Sequence, residues 1–219
     1  MSPAAQPVGE ARKTREELSL ERREHILDVA AEVIRERGLA GTRISDIGTR
    51  AGMSDGHLMY YFGSKDNLLM LAAKRSEDQF FDDVTEALAT EPTAAAKIYR
   101  MIDLWCPTGD TREASTAWVL WPELWARSMR NPGLAELRES LDRRWMELVS
   151  QTAHEAGQAV AGAREFAVLL LPLLDGLALR VMARDPDMTP QAMRATLYEF
   201  TSSRLGLQPP ERKRRRRRK

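Results

Sequence analysis

Side chains suited to binding phosphate groups and base edges are concentrated between residues 42 and 65. Hydroxyl, guanidinium and ammonium groups bind phosphate oxygens, whereas carboxylate and imidazole groups can also pair with base edges in a DNA groove. The candidate nucleic-acid contacts in this stretch are Thr42, Arg43, Arg50, Ser54, Asp55, Gly56, His57, Tyr60, Tyr61 and Lys65.

Two short helices are predicted to position these groups. Ile44, Ile47 and Ala51 recur at intervals of three and four residues, which is the pattern of an amphipathic helix. Thr42 can cap this helix at its N-terminus, and Gly52 can end it. The glycine then supplies the tight turn that joins the helices of a helix-turn-helix.

The second short helix is expected to carry the base contacts. Ser54 can cap it, and Leu58 and Phe62 would form its buried face. Because the first turn of a recognition helix meets the major groove, we assign Asp55 and His57, with the glycine between them, to base edges. Asp55 would accept a hydrogen bond from a cytosine amino group, or would only complement the helix dipole, and its type fits both roles equally. The other candidates are assigned to phosphate groups.

A longer amphipathic helix precedes this pair. We expect it to begin at Ser19, to end at Gly38, and to pack across the two short helices. Residues 1–18 contain few large apolar side chains, so we expect them to form a disordered arm. The packed face of the helix would consist of Ile26, Leu27, Ala30, Val33 and Ile34.

The whole segment resembles the DNA-binding domain of the TetR family of bacterial transcriptional regulators. The resemblance implies operator binding, with the tyrosine pair and the lysine on the DNA backbone. Asp55 and His57 depart from the family pattern, in which a basic residue and a threonine are frequent, and Gly48 replaces the usual alanine. The residues that carry the resemblance are Thr42, Ile47, Gly48, Ala51, Gly52, Ser54, Gly56, Leu58, Tyr60, Tyr61, Phe62, Ser64 and Lys65.

Five tryptophans, all between residues 105 and 145, mark the second half of the chain. Residues 76–210 hold 20 acidic and 13 basic side chains. Indole faces attract cations, so tryptophans in an acidic domain suit a cage for an ammonium group. Ordinary core packing is the alternative, and for each ring taken singly it is the better explanation. The candidate ligand contacts are Tyr99, Trp105, Trp118, Trp121, Trp125 and Asp175.

Four segments of this half resemble the ligand-binding domain of the BetI-like subgroup, whose namesake is a choline-responsive repressor. They are residues 121–126, 129–134, 141–144 and 174–180. Subgroup members respond to different ligands, so choline itself is not implied. The resemblance does imply that helices over 164–183 and 191–206 pair with those of a twofold mate in a four-helix bundle. Asp175 would then be satisfied across the dimer interface, which we favour over contact with a ligand cation.

Other classes of protein are disfavoured. The N-terminus lacks the apolar core of a signal peptide, and the most apolar run, 166–182, contains Pro172, Asp175 and Arg180, which indicates a buried helix and no membrane span. A single cysteine, Cys106, suits a reducing cytoplasm. The three histidines lack metal-ligand spacing. We therefore expect no metal, no cofactor and no enzymatic activity.

The sequence predicts an all-α cytoplasmic homodimer. We expect a disordered arm over 1–18, a helix-turn-helix domain over 19–75, a ligand-binding and dimerisation domain over 76–207, and a disordered basic tail over 208–219. The predicted function is a repressor released from a palindromic double-stranded DNA operator by a small molecule, for which a cationic amine is one option. Two alternatives remain open: a nonspecific DNA-binding protein driven by the basic tail, and a helical small-molecule-binding protein without regulatory DNA binding.

Overall fold

Nine α-helices form the regular structure of the residues that the computed structural model describes, 14–106 and 116–209. These two ranges contain no β-strand, and the prediction of an all-α fold is confirmed. The chain divides into two compact units within α4, between Ala72 and Ala73. The helices are α1 (Arg15–Gly41), α2 (Ile44–Ala51), α3 (Asp55–Phe62), α4 (Lys65–Ala89), α5 (Ala94–Trp105), α6 (Thr116–Ser128), α7 (Pro132–Glu155), α8 (Val160–Met182) and α9 (Pro190–Leu205).

The first helix begins earlier than the sequence predicts. Thr14 and Glu17 form a capping box, in which the Glu17 backbone N–H donates to Thr14 Oγ1 at 3.2 Å and the Thr14 N–H donates to the Glu17 carboxylate at 2.7 Å. Because these bonds satisfy two free backbone donors, α1 starts at Arg15 and not at Ser19. The expectation of disorder was therefore wrong for residues 15–18, and residues 1–13 lie outside the described part of the chain.

Gly38 interrupts α1 but does not end it. Its φ of 72° lies in the left-handed region that favours glycine, and a further turn continues to Gly41. In this unit α1 packs on α2, and α2 packs on α3. The apolar face predicted for α1 is buried, together with Leu39, Ile47, Leu58, Phe62, Leu68, Leu69 and Ala72.

A tight turn joins α2 to α3. Gly52 ends α2 in the left-handed conformation, with φ 66° and ψ 33°, and the Ser54 side chain caps α3 as predicted. Gly48 faces this turn. A Cβ atom on Gly48 would stand 2.7 Å from the Met53 carbonyl oxygen and 3.1 Å from Asp55 Oδ1. Close packing of the turn against α2 therefore requires glycine where helix propensity alone would favour alanine.

The second unit has one apolar core. In it α7 packs against α5, α6 and α8, and α9 packs against α5 and α8. Thr189 caps α9 and Pro190 takes the first helical position, as predicted. The buried core residues include Val84, Leu88, Ile98, Met101, Ile102, Val149, Ala153, Phe166, Ala167, Leu170, Leu174, Ala178, Val181, Met193 and Leu197.

The eighth helix is apolar on more than one side. Leu170 and Leu174 are buried in the core, whereas Val168, Leu169 and Leu179 are exposed. Across the ranges that the structure describes, neither this helix nor any other has the length and apolar character needed to cross a membrane.

Replacing Gly48 by alanine should destabilise the first unit. Alanine gains roughly 1 kcal/mol of helix propensity, but the added methyl group meets a backbone oxygen that cannot move independently, and overpacking of this kind costs about 1–3 kcal/mol. Urea unfolding at pH 7 measures the difference. Gly56→Ala in α3 is the matched control, because its Cβ would meet only Ser54 Oγ at 4.0 Å. Equal stability of the Gly48→Ala variant and the wild type would contradict this account of the turn.

Candidate DNA-binding surface and ligand cavity

The N-terminus of α3 presents the residues predicted to meet DNA bases. Ser54, Asp55, Gly56 and His57 are all exposed. The backbone N–H of His57 donates to Ser54 Oγ at 3.3 Å, and the same oxygen lies 3.3 Å from His57 Nδ1, which orients the imidazole at the first turn. The structure therefore displays three polar side chains and one glycine together at one helix end, as base reading in the major groove requires.

The tyrosine pair lies further along α3. Tyr60 is 84% exposed, and half-buried Tyr61 packs edge-on against it with ring centroids 5.7 Å apart. Phe62 anchors this end of the helix, since it is buried and has the Arg23 guanidinium 5.5 Å from its ring centroid. Lys65 opens α4 and is partly exposed. The Tyr60 hydroxyl and the Lys65 ammonium are thus accessible to phosphate groups.

Two residues predicted to contact phosphate form hydrogen bonds within the first unit instead. Thr42 is fully buried and its hydroxyl donates to the Gly38 carbonyl oxygen at 2.7 Å. Its predicted roles as a cap of α2 and as a side-chain contact to DNA are therefore wrong, and exposed Arg43 takes the N-cap position. Arg50 donates two hydrogen bonds of 2.8 Å to the Glu36 carboxylate, so it would have to leave this ion pair to bind phosphate.

A cavity of about 210 Å³ lies within the helices of the second unit. Four of the five tryptophans and three carboxylates line it. The remaining wall is apolar, and it is formed by Phe80, Met146, Leu171, Pro172 and Leu174. This combination of aromatic faces and buried acidic groups suits a compact organic cation.

The cavity tryptophans form two ring pairs. The ring centroids of Trp105 and Trp145 are 5.4 Å apart in an edge-to-face arrangement, and those of Trp121 and Trp125 are 5.6 Å apart. The structure thus places three tryptophans from the sequence-derived set in the wall and adds Trp145, which sequence reasoning missed. Packing between the rings holds each indole face in place in the wall.

The structure does not bring every predicted ligand contact to the cavity. Tyr99 is buried elsewhere: its hydroxyl donates to the Leu207 carbonyl oxygen at 3.1 Å, and its ring meets that of Tyr198 at a centroid distance of 4.8 Å. It is a core residue, and its assignment to the ligand is corrected. The Trp118 side chain lies outside the described residues.

Three helices each supply one carboxylate to the cavity: Glu77 from α4, Asp142 from α7 and Asp175 from α8. Burial, with a smaller contribution from the neighbouring Asp142 carboxylate, raises the pKa of Glu77 to about 8 and that of Asp175 to about 7. Burial also raises the pKa of Asp142, against the opposing charge of Arg138. Glu77 and Asp175 therefore retain protons near neutral pH that a bound cation would displace.

The acidic wall differs from the sequence-based prediction. Asp175 lines the cavity, which is the second of the two roles considered for it, and its role at a dimer interface stays a prediction. Glu77 and Asp142 were missed. For Glu77 a signal existed, because it lies three residues before Phe80 and seven before Val84 and so shares the apolar face of α4. A carboxylate at such a position is expected either to be paired or to serve a ligand.

A helix-turn-helix unit with exposed polar residues, followed by a helical unit with an acidic aromatic cavity, defines a ligand-binding transcriptional regulator. The family model of the tetR family of bacterial regulatory proteins matches residues 26–71. The model of the BetI-type transcriptional repressor C-terminal domain matches residues 94–206. The chain therefore belongs to the TetR family and is a BetI-type transcriptional repressor, and both predicted resemblances are confirmed.

Similar proteins agree with this assignment. The HTH-type transcriptional regulator BetI of Escherichia coli O45:K1 is 31% identical over 168 residues, which cover 73% of this chain and 81% of that protein. A transcriptional regulator from Saccharomonospora viridis, crystallised in complex with choline, is 28% identical with a TM-score of 0.74 and covers 84% of this chain and 96% of its own. A TetR regulator from Haloarcula marismortui shares the fold at a TM-score of 0.72 and 18% identity, with coverage of 84% and 98%.

Replacing Glu77 by glutamine should reduce the loss of folding stability that occurs as pH rises from 5 to 8. The pKa of Glu77 is about 8 in the folded protein, well above its ordinary value of 4.5, so the folded state keeps a proton that the unfolded chain has lost. Stability is therefore lost as pH rises from about 5 to 8, by roughly 2–4 kcal/mol from this group. Glutamine cannot ionise, so the variant should lose less stability over this range.

Urea unfolding at pH 5 and pH 8 measures this difference. Glu147→Gln on α7 is the matched control, because this substitution removes the same charge from an exposed position. If Glu77→Gln and Glu147→Gln change the pH dependence equally, Glu77 is not the buried acid described above.

Proposed function

We propose that a small organic cation is the effector that releases this repressor from DNA. The cavity carries the proposal, since four tryptophans and three carboxylates surround a space of about 210 Å³. The choline complex of the Saccharomonospora viridis regulator supports the same ligand chemistry. Choline and related quaternary ammonium ions are therefore the first effectors to test.

The selectivity for a cation comes from two properties of the cavity. A desolvated cation over an indole face gains about 2 kcal/mol, whereas a neutral molecule of the same shape gains only apolar contact. An ionised carboxylate without a partner is costly when buried, so the cation also removes the cost of ionising Glu77 or Asp175. Binding is thus coupled to the loss of a proton.

The DNA contacts are proposed from the surface of the first unit. The start of α3, with Asp55 and His57, enters the major groove, while Arg43, Tyr60 and Lys65 bind phosphate groups. Exposure at the surface supports each of these roles, except that Lys65 is only partly exposed. Arg50 joins them only if it exchanges Glu36 for a phosphate, and Thr42 is left out because it is buried.

Operator binding is proposed to require a homodimer. The exposed apolar side chains of α8, Val168, Leu169 and Leu179, support pairing of α8 and α9 with the same helices of a second copy. Two recognition helices would then read half-sites separated by about 34–36 Å or slightly more, which is one turn of DNA. A palindromic operator follows from this arrangement, and the cytoplasm is the proposed location of the repressor.

Release is proposed to act through α4. This helix carries Lys65 at its start and the cavity residues Glu77 and Phe80 further along. The effector must bind more tightly to the conformation that cannot hold DNA than to the one that can, and the difference in affinity sets the degree of release. A ligand that contacts Glu77 acts directly on the helix that continues into the DNA-binding unit.

The double variant Tyr60→Ala and Lys65→Ala should lose operator binding and keep the dimer. Two phosphate contacts per subunit are removed, so affinity should fall by roughly a hundredfold or more. Fluorescence anisotropy with duplexes that the protein itself selects from a random pool measures the loss, and sedimentation measures the dimer. Retained tight binding would contradict the phosphate assignments.

Scrambled DNA in the same titration separates the alternatives. The wild type should prefer the selected duplex, because base contacts add sequence discrimination to the phosphate contacts. Equal affinity for scrambled DNA would indicate nonspecific binding by residues 211–219, which hold eight basic side chains and lie outside the described residues. Weak binding to both duplexes at physiological salt would indicate a protein without regulatory DNA binding.

Choline should bind more tightly as pH rises from 6 to 8. Glu77 and Asp175, with pKa values of about 8 and about 7, hold protons at pH 6, and the cation prefers their ionised forms. Each proton released on binding contributes up to about tenfold in affinity per pH unit. Calorimetry at pH 6, 7 and 8, in buffers of different ionisation enthalpy, measures the affinity and counts the protons.

Glu77→Gln is the control for this titration, because it removes one titrating group and should flatten the pH dependence. Choline binding of equal strength at all three pH values, without proton release, would contradict the proposed coupling.

A further inference from the structure

One arginine of the protein already contacts both kinds of group that would hold a ligand cation. The guanidinium carbon of Arg138 lies 4.4 Å from the ring centroid of Trp125, and the guanidinium forms an ion pair with Asp142 one turn further along α7. Trp125 and Asp142 both line the cavity. Arg138 therefore occupies one indole face and one carboxylate that a ligand could otherwise use.

We propose that Arg138 is a built-in cation of the ligand site, which limits the effector to a single positive charge. This inference rests on the proposed cationic effector and adds its charge state and the residue that sets it. An effector with one ammonium group would be accepted, and a diamine of the same size would be rejected.

The charges around the cavity support a limit of one positive charge on the effector. Among the described residues, Asp142 is paired with Arg138, whereas neither Glu77 nor Asp175 takes part in an ion pair. Glu77 is buried and Asp175 is half-buried, and repulsion between their ionised forms opposes the ionisation of both, so one added cation stabilises the ionised form of one of them. Asp142 is not free for a second ligand cation, because the guanidinium of Arg138 holds that carboxylate.

Another arginine, Arg144, offsets only part of the negative charge: its charge lowers the pKa of Glu77, but burial outweighs this effect and the pKa stays at about 8. Arg144 forms an ion pair with Asp78, which also accepts from Lys74, and its guanidinium carbon lies 4.1 Å from the ring centroid of Phe81. None of these four residues lines the cavity. Arg138 does not line the cavity itself, but both groups that its guanidinium contacts, the Trp125 ring and the Asp142 carboxylate, belong to the wall.

The test compares two ligands that differ in charge alone. At pH 7 the 3-hydroxypropyl-trimethylammonium ion carries one positive charge, and the 3-aminopropyl-trimethylammonium ion carries two in nearly the same shape. Calorimetry should show that the wild type prefers the monocation by about tenfold or more, and that Arg138→Gln shifts the ratio of the two affinities by about tenfold toward the dication. Arg138→Met, which keeps an apolar stem against Trp125, should shift the ratio in the same direction if the glutamine variant does not fold.

Arg143→Gln is the matched control. Arg143 lies on the same helix, pairs with Glu139 at 2.8 Å and is 65% exposed, so its replacement removes the same charge away from the cavity. This variant should keep the wild-type ratio. A ratio unchanged in both Arg138 variants, or changed equally in Arg143→Gln, would overturn the role of Arg138 while the cationic effector stands. Failure of the monocation to bind the wild type would instead overturn the proposed function.

Discussion

Buried negative charge is the constraint on which the second unit depends. Glu77 is only 5% exposed and faces a cavity lined by tryptophans, where an ionised carboxylate without compensation costs several kcal/mol. The protein meets this constraint in two ways. Arg138 compensates Asp142, and burial raises the pKa of Glu77 and Asp175 so that they keep protons. A cation that enters the cavity therefore changes the protonation of its wall as well as its charge.

The location of Glu77 connects this chemistry with regulation. A carboxylate on α5 or α9 could bind a cation equally well, but α4 is the helix within which the chain divides into its two units. In the proposed mechanism, ligand binding energy therefore acts on the helix that continues from the DNA-binding unit into the ligand-binding unit. Such coupling needs two conformations that differ in ligand affinity.

Local rules made the helix-turn-helix predictable, whereas packing between distant segments decided the cavity. The Ser54 cap, the turn at Gly52 and the buried face of α3 follow from capping and periodicity. Thr42 fits the same rules as a cap of α2. Its side chain is buried, however, and its hydroxyl donates to the carbonyl oxygen of Gly38, at the interruption in α1. Aromatic and acidic composition indicated a cation site. The apolar face of α4 marked Glu77 as a buried carboxylate, but no local pattern showed that it would meet Asp142 and Asp175 in one cavity, or that Tyr99 would turn away.

In the proposed mechanism, the cavity recognises positive charge, and binding of a cation releases the repressor from DNA. The most direct measurement titrates the protein–operator complex with choline and, separately, with 3,3-dimethyl-1-butanol, in which carbon replaces the charged nitrogen. Anisotropy of the labelled operator should fall with choline and stay unchanged with the neutral alcohol at the same concentrations, because only the cation compensates the buried carboxylates. Equal release by both compounds would show that the cavity recognises shape and not charge, and would contradict the account.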